Sequence, residues 1–157
     1  MINMQDQELN EEEVRLGRLK YFVSNNINPY PDSTNRKDTI KEAKANSEKT
    51  KVIVAGRIVS KREMGKLCFT HIKDESGKLQ VAFSEKEIGK ENYKLFVKYF
   101  DLGDFIEVEG EMFVTHKGEI SVLVKKCRLL AKALLPLPEK FHGLSDVEIR
   151  YRQRYLD

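Results

Sequence analysis

Two periods of hydrophobicity divide the chain. Between residues 8 and 27, Leu9, Leu16, Leu19, Phe22, Val23 and Ile27 recur at roughly helical spacing, which predicts a helix there. The run Asn28-Pro29-Tyr30-Pro31-Asp32 ends it, because proline cannot continue a helix and biases its predecessor away from helical backbone. Residues 32–50 are polar, with a short helix predicted over Thr39 to Ala45. From Lys51 the period changes to two. KVIVAGRIVS is rich in β-branched residues and reads as a strand, closed by a turn at Gly65-Lys66. Leu67 to Lys73 is a second strand, Asp74-Glu75-Ser76-Gly77-Lys78 a hairpin loop, and Leu79 to Phe83 a third strand. In EKEIGKENYKLFVKYFDLGD the period returns to helical, with Ile88, Leu95, Phe96, Tyr99 and Phe100 on one face and Gly103 as the expected C-cap. DFIEVEGEMFVTH is a fourth strand, with Ile106, Val108, Met112 and Val114 inward and Glu107, Glu109 and Glu111 outward. After the turn His116-Lys117-Gly118, EISVLVKKCRLLA is a fifth, with Ile120, Val122 and Val124 inward and Glu119, Ser121 and Leu123 outward.

Three strands, a helix and two strands is the element order of the OB-fold, a small five-stranded Greek-key barrel. The expected class is therefore mainly β, with an N-terminal α-helical extension. The expected division is 1–50 for that extension and its linker, 51–135 for the barrel, and 136–157 for a connector. The connector leaves the barrel through two prolines, and Ser145 or Asp146 could N-cap a terminal helix beginning near Val147.

Composition narrows the class. The chain has 157 residues, 40% hydrophobic and 34% charged, so it can build a core beneath a heavily charged surface. No apolar run approaches the roughly 18 residues of a membrane span. The acidic start MINMQDQELNEEE is neither a signal nor a transit peptide. Cys68 and Cys127 lie in strand-like sequence without CxxC pairing, and read as reduced structural thiols in a cytoplasmic protein. The net charge of +3 is unevenly spread: Arg57, Lys61, Arg62, Lys66, Lys73 and Lys78 oppose only Glu63, Asp74 and Glu75 between 57 and 78. Such an excess suits a polyanion, although lysines on strand edges also guard against aggregation. GxxxxGK[ST], GxGxxG and HExxH are absent. His71, His116 and His142 are too scattered to indicate a metal, and Glu107, Glu109 and Glu111 read as a solvated strand face. No catalytic constellation is visible, and no cofactor is expected in this chain.

Phe69 breaks the alternation. If Cys68, Thr70 and Ile72 face the core, a large aromatic lies outside, beside His71 and Lys73. The competing reading is a core phenylalanine on a strand phased the other way. Gln80 falls on the outer side of the next strand, and Arg62 just precedes the turn into the second. A ring, a guanidinium and an amide on one barrel face suit a nucleobase: stacking is worth roughly 1–3 kcal/mol and is indifferent to base identity. Identity needs polar edges. Gln80 both donates and accepts, Arg62 only donates, and ionised Glu119 only accepts, a set that matches uracil and conflicts with the amino group of cytosine.

The sequence resembles the N-terminal region of class II lysyl-tRNA synthetases over nearly its whole length. The likeness lies in Asn28-Pro29-Tyr30-Pro31, in VAGRIVSKREMGKLCF from Val54, in DLGDFIEVEGEMF from Asp101, and in RLLAKALLPLPEKFHGLSDVEIRYRQRYLD from Arg128. Aspartyl- and asparaginyl-tRNA synthetases share the barrel, but LPLPEKFHGL and RYRQRYLD are similar to the lysine enzymes. The resemblance implies an anticodon-binding barrel that reads the middle uridine most closely. By motif it places the stacking ring at Phe69 and its companions at Arg62, Gln80 and Glu119; His71, on the same side of the strand as Phe69, is a candidate second contact, to a flanking base. Lys61, Lys66 and Lys73 are candidate phosphate contacts, positioning rather than specifying.

It further implies a homodimeric whole enzyme that uses ATP and Mg2+, with a catalytic core following Arg-Tyr-Leu-Asp. The expectation is an anticodon module for the lysine tRNA stem-loop, inactive as a ligase by itself and joined through 136–157 to a catalytic domain of the same enzyme. Residues after about Pro138 are expected to be mobile without that domain. The alternatives are a generic single-stranded nucleic-acid binder and a protein-docking domain, since the fold alone does not dictate the ligand.

Overall fold

The structure, a computed structural model of the chain, describes residues 4–136. Helices α1 (Met4–Ser24) and α2 (Ile40–Ala45) precede strands β1 (Lys51–Met64), β2 (Leu67–Lys73) and β3 (Lys78–Ser84). Helices α3 (Glu85–Ile88) and α4 (Lys90–Tyr99) follow, then β4 (Phe105–Val114) and β5 (Ile120–Ala131). The strands close into a barrel in the order β1-β2-β3-β5-β4. Neighbours are antiparallel except β3 and β5, which pair in parallel over Gln80–Ala82 and Ser121–Leu123. This is the five-stranded OB-fold with its helical insert between the third and fourth strands. The predicted connector and terminal helix lie outside the described residues.

The core follows the period-two pattern. Val52, Val54, Ile58, Cys68, Ile72, Leu79, Val81, Phe83, Ile106, Val108, Met112, Val122 and Val124 are all buried. Val114 and Ile120 share that phase but are exposed, paired with each other at the turn end of the β4–β5 hairpin. Gly110 sits at a register shift between β4 and β5, where an added Cβ would lie 2.2 Å from the carbonyl oxygen of Leu123. Only glycine lets the two backbones approach that closely.

The helices depart from expectation at their ends. α1 stops at Ser24 rather than near 27. Asn26 adopts φ +57, the Ile27 N–H donates to the Phe22 carbonyl (2.9 Å), and the Asn26 N–H to that of Val23 (3.1 Å). That is a Schellman closure with asparagine in the left-handed position, so the stop precedes the prolines. Val23, expected on the buried face, is 59% exposed. The second predicted helix has the capping box Thr39–Glu42 at its start. The third is two helices, broken at Gly89 (φ +84), and α4 ends at Tyr99. Gly103 is therefore not its cap: it turns at φ +94 and donates its N–H to the Ile58 carbonyl (2.8 Å).

α4 seals one end of the barrel, with Phe96 stacked on Phe83 at 3.6 Å. α1 docks on the same end through Phe22, edge-on to Phe100, and Tyr21, stacked on Tyr99 at 3.7 Å. Buried Arg15 reinforces this docking by donating to the carbonyls of Leu102 (3.0 Å) and Ala133 (3.2 Å).

Candidate nucleic-acid interface

The outer wall of the barrel carries two rows of side chains. Across the ladder, Arg62 faces Phe69, Phe69 faces Ala82, Ala82 faces Leu123, and Leu123 faces Glu111. The next row runs Ser60, His71, Gln80, Ser121, Phe113. Cys68, Thr70 and Ile72 are fully buried between them in sequence, so Phe69 lies on the outer face, half-buried. The reading that put Phe69 in the core is excluded.

What keeps the ring accessible is its neighbourhood. Leu67, Phe69, Ala82, Phe113 and Leu123 line a groove of about 340 Å³ on this wall, flanked by His116. Ala82 supplies the floor, because its methyl group is the smallest side chain in its row. An apolar cleft beside an aromatic face, rimmed by polar groups, accepts a flat heterocycle.

A bulge delivers the arginine. The register between β1 and β2 slips between Ile58 and Ser60, so Val59 has no partner. The slip reverses the alternation, turning Ser60 and Arg62 outward and Lys61 inward. Without it, Arg62 would face the interior and Lys61 the solvent.

Lys61 is thereby removed from the candidate phosphate contacts. Its ammonium donates to the carbonyls of Phe96 (3.2 Å), Val97 (2.6 Å) and Phe100 (3.1 Å) at the C-terminus of α4, and burial pushes its pKa down. There a cation satisfies orphan carbonyls and complements the helix dipole. Arg62, Lys66 and Lys73 remain exposed: Arg62 across the ladder from Phe69, Lys66 in the turn before β2, and Lys73 at the far end of β2. Lys66, whose side chain is 84% exposed, has only a 3.5 Å contact with Glu85.

Gln80 lies on the expected face but is 7% exposed. It sits between His71 on β2 and Ser121 on β5, and its Nε2 donates to Ser121 Oγ (3.2 Å). Ser121 in turn donates to the Glu119 carbonyl (3.1 Å). Gln80 is thus a fixed part of the wall, with little surface to offer. His71 is held on both sides, by Ser60 Oγ at Nδ1 (2.8 Å) and by Glu119 Oε1 at Nε2 (2.8 Å). It is a networked residue rather than a free surface histidine.

Sequence reasoning missed the contribution of Phe113, whose signal was present: it is the apolar residue in the outward phase of the fourth strand, the same anomaly as Phe69. Ser60 carried no signal, since its direction depends on the bulge. The acidic strand face is also corrected at one position. Glu107 is buried, accepting from Thr34 Oγ1 (2.6 Å), the Asn35 N–H (2.6 Å) and Arg128 (3.1 Å). Among the described residues no three His, Cys, Asp or Glu side chains come together to hold a metal ion. Among the same residues, no helix is long and apolar enough to cross a membrane.

Comparison with known proteins agrees with this geometry. A family model described as an OB-fold nucleic acid binding domain, of the tRNA anticodon type, matches residues 52–130. A lysine--tRNA ligase of Carboxydothermus hydrogenoformans is 49% identical over 158 residues, covering 98% of this chain and 32% of that protein. One from Lactococcus lactis subsp. cremoris is 44% identical over 162 residues, covering 96% and 33%. One from Aquifex aeolicus is 55% identical over 106 residues, covering 68% and 18%. The chain spans about a third of the length of the first two. With a closed five-stranded barrel, an outward aromatic in a groove and a family match across all five strands, this chain belongs to the anticodon-type OB-fold nucleic acid binding domains.

Proposed function

We propose that this barrel reads the anticodon of the lysine tRNA within a longer protein that ligates lysine to tRNA using ATP and Mg2+. The observation that carries the reading is Phe69, an aromatic ring on the outer wall of the barrel, directly across the ladder from Arg62 and beside an apolar groove. A base stacks on the ring, Arg62 donates to its carbonyl edge, and Glu119 accepts from its ring N–H. Lys66 and Lys73 hold the backbone phosphates. Gln80, mostly buried, shapes the wall and offers at most one edge. The names of the relatives support lysine as the amino acid.

In the longer protein, the barrel's partners are the tRNA, a catalytic domain of the same enzyme and a second copy of the chain, in the cytoplasm. Residues 136–157 connect the barrel to that catalytic domain. The barrel contributes binding energy that helps place the acceptor end in the distant site.

The test is fluorescence anisotropy with the lysine anticodon stem-loop, carrying either U or C at the middle position. The U loop should bind more tightly by about 1–3 kcal/mol, and Phe69→Ala should cost a similar amount with the barrel still folded. Equal affinity for both loops, with Phe69→Ala still costly, would favour a generic single-strand binder. An RNA affinity untouched by Phe69→Ala would reject the site.

A further inference from the structure

We propose that Ser60 and His71 are positioning residues that aim the carboxylate of Glu119 at the base edge, so that base discrimination depends on a relay from the β1 bulge. The proposal rests on the reading that an anticodon uridine occupies the groove beside Phe69.

The backbone of Glu119 is fixed. Its N–H donates to Thr115 Oγ1 (3.1 Å), and its carbonyl accepts from the Thr115 N–H (3.0 Å) and from Ser121 Oγ (3.1 Å). Its side chain is another matter. It is 49% exposed and has three rotatable bonds. Among the described residues its carboxylate has one partner, Nε2 of His71, and no lysine or arginine pairs with it. A long acidic side chain left free would spread over many rotamers and lose that freedom on binding.

His71 removes the ambiguity. A carboxylate only accepts, so Nε2 carries a proton and donates to Oε1. Nδ1 meets the hydroxyl of Ser60, which sets the plane of the ring from behind. Ser60 is there only because the register slip at Val59 turns it outward. The imidazole is rigid and clamped at both nitrogens, so it transmits the position of β1 to the carboxylate. With Oε1 taken, Oε2 is left to accept from a base. A uracil ring N–H satisfies it, whereas the ring nitrogen of cytosine presents a lone pair to a negative oxygen. Specificity is then partly repulsive, and repulsion works only if the carboxylate cannot swing away.

His71 therefore acts through Glu119 and is not itself a contact to a flanking base. The test uses the chain described here and the U and C stem-loops. The wild type should prefer U by about tenfold or more. His71→Leu should bring the two affinities to within about twofold of each other. His71→Gln, whose amide nitrogen reaches the place of Nε2, should restore most of the preference, and Ser60→Ala should fall between. Glu119→Gln should lose the preference, and His71→Leu added to it should change nothing further, since both remove the same device.

A U preference unchanged in folded His71→Leu would overturn the proposal. If that variant fails to fold, Ser60→Ala decides: an unchanged ratio sinks it. A wild type without preference, or Phe69→Ala without effect, would instead sink the anticodon reading on which this one stands.

Discussion

At the scale of single residues, neighbours in sequence have opposite duties. Lys61 and Arg62 are adjacent cations, yet one closes a helix inside the barrel and the other faces out across the ladder from Phe69. The consequences of removing them differ accordingly. Lys61→Met should destabilise the fold by about 1–3 kcal/mol in urea unfolding, because three carbonyls lose a charged donor. It should leave the salt dependence of RNA binding unchanged. Lys66→Gln and Lys73→Gln should do the reverse: little change in stability, and a reduction in the slope of log affinity against log salt of about 0.7 for each phosphate no longer neutralised. If Lys61→Met flattened the salt slope and Lys66→Gln did not, the assignment of inner and outer cations would be wrong.

At the scale of elements, the polar stretch between α1 and β1 is stapled to the barrel by two carboxylates. Glu107 holds Thr34 and Asn35, and Asp74 accepts from the N–H of Ile40 (2.9 Å) at the start of α2. Burial alone would push the Glu107 carboxyl up, but the hydrogen bonds from Thr34, Asn35 and Arg128 outweigh it and hold it below its ordinary 4.5. Asp74 is likewise held below 3.8: burial opposes, and bonds from Ser76, Ile40 and Gly77 prevail. A depressed folded-state value means the stabilisation is present above the unfolded value and is lost as pH falls through the folded one. The staples should therefore hold at neutral pH and fail progressively below about pH 4.5. Hydrogen-exchange protection, measured against the intrinsic rate at each pH, should fall first across residues 34–40 on acidification, and Glu107→Gln should show a shallower loss of stability between pH 5 and 3. A segment equally protected at pH 3 and pH 7 would contradict this.

At the scale of the whole molecule, α1 and the barrel share one core. Phe22 is fully buried against Phe100 and Tyr99. Nearby, an ion cluster joins α1, the start of β4 and the chain leaving β5. Arg18 pairs with Asp101, and fully buried Asp104 pairs with Lys132 (2.8 Å), which also reaches Asp101 (2.5 Å). Phe22→Ala should cost about 3–5 kcal/mol and lower the melting of helix and barrel together, in one calorimetric transition. Two separated transitions in the wild type would show that α1 is an appendage.

Much of this protein is legible in the order of its residues, for a local reason. Period two against period 3.6 is imposed by backbone geometry within each element, so five strands and the helical insert follow from sequence alone, whereas the phase of Phe69 stayed open between wall and core until the buried Cys68, Thr70 and Ile72 settled it. The basic excess between 57 and 78 is likewise read from residue order. What the pattern could not supply depends on contacts between distant segments. The slip at Val59 lies just past Arg57, where β1 leaves β4 and continues against β2, and it alone decides that Arg62 and Ser60 face out while Lys61 faces in. The burial of Gln80 and Glu107 was hidden for the same reason. Alternation states which side of a strand a residue occupies, but only the neighbouring strands and the folded-back linker determine whether that side meets water.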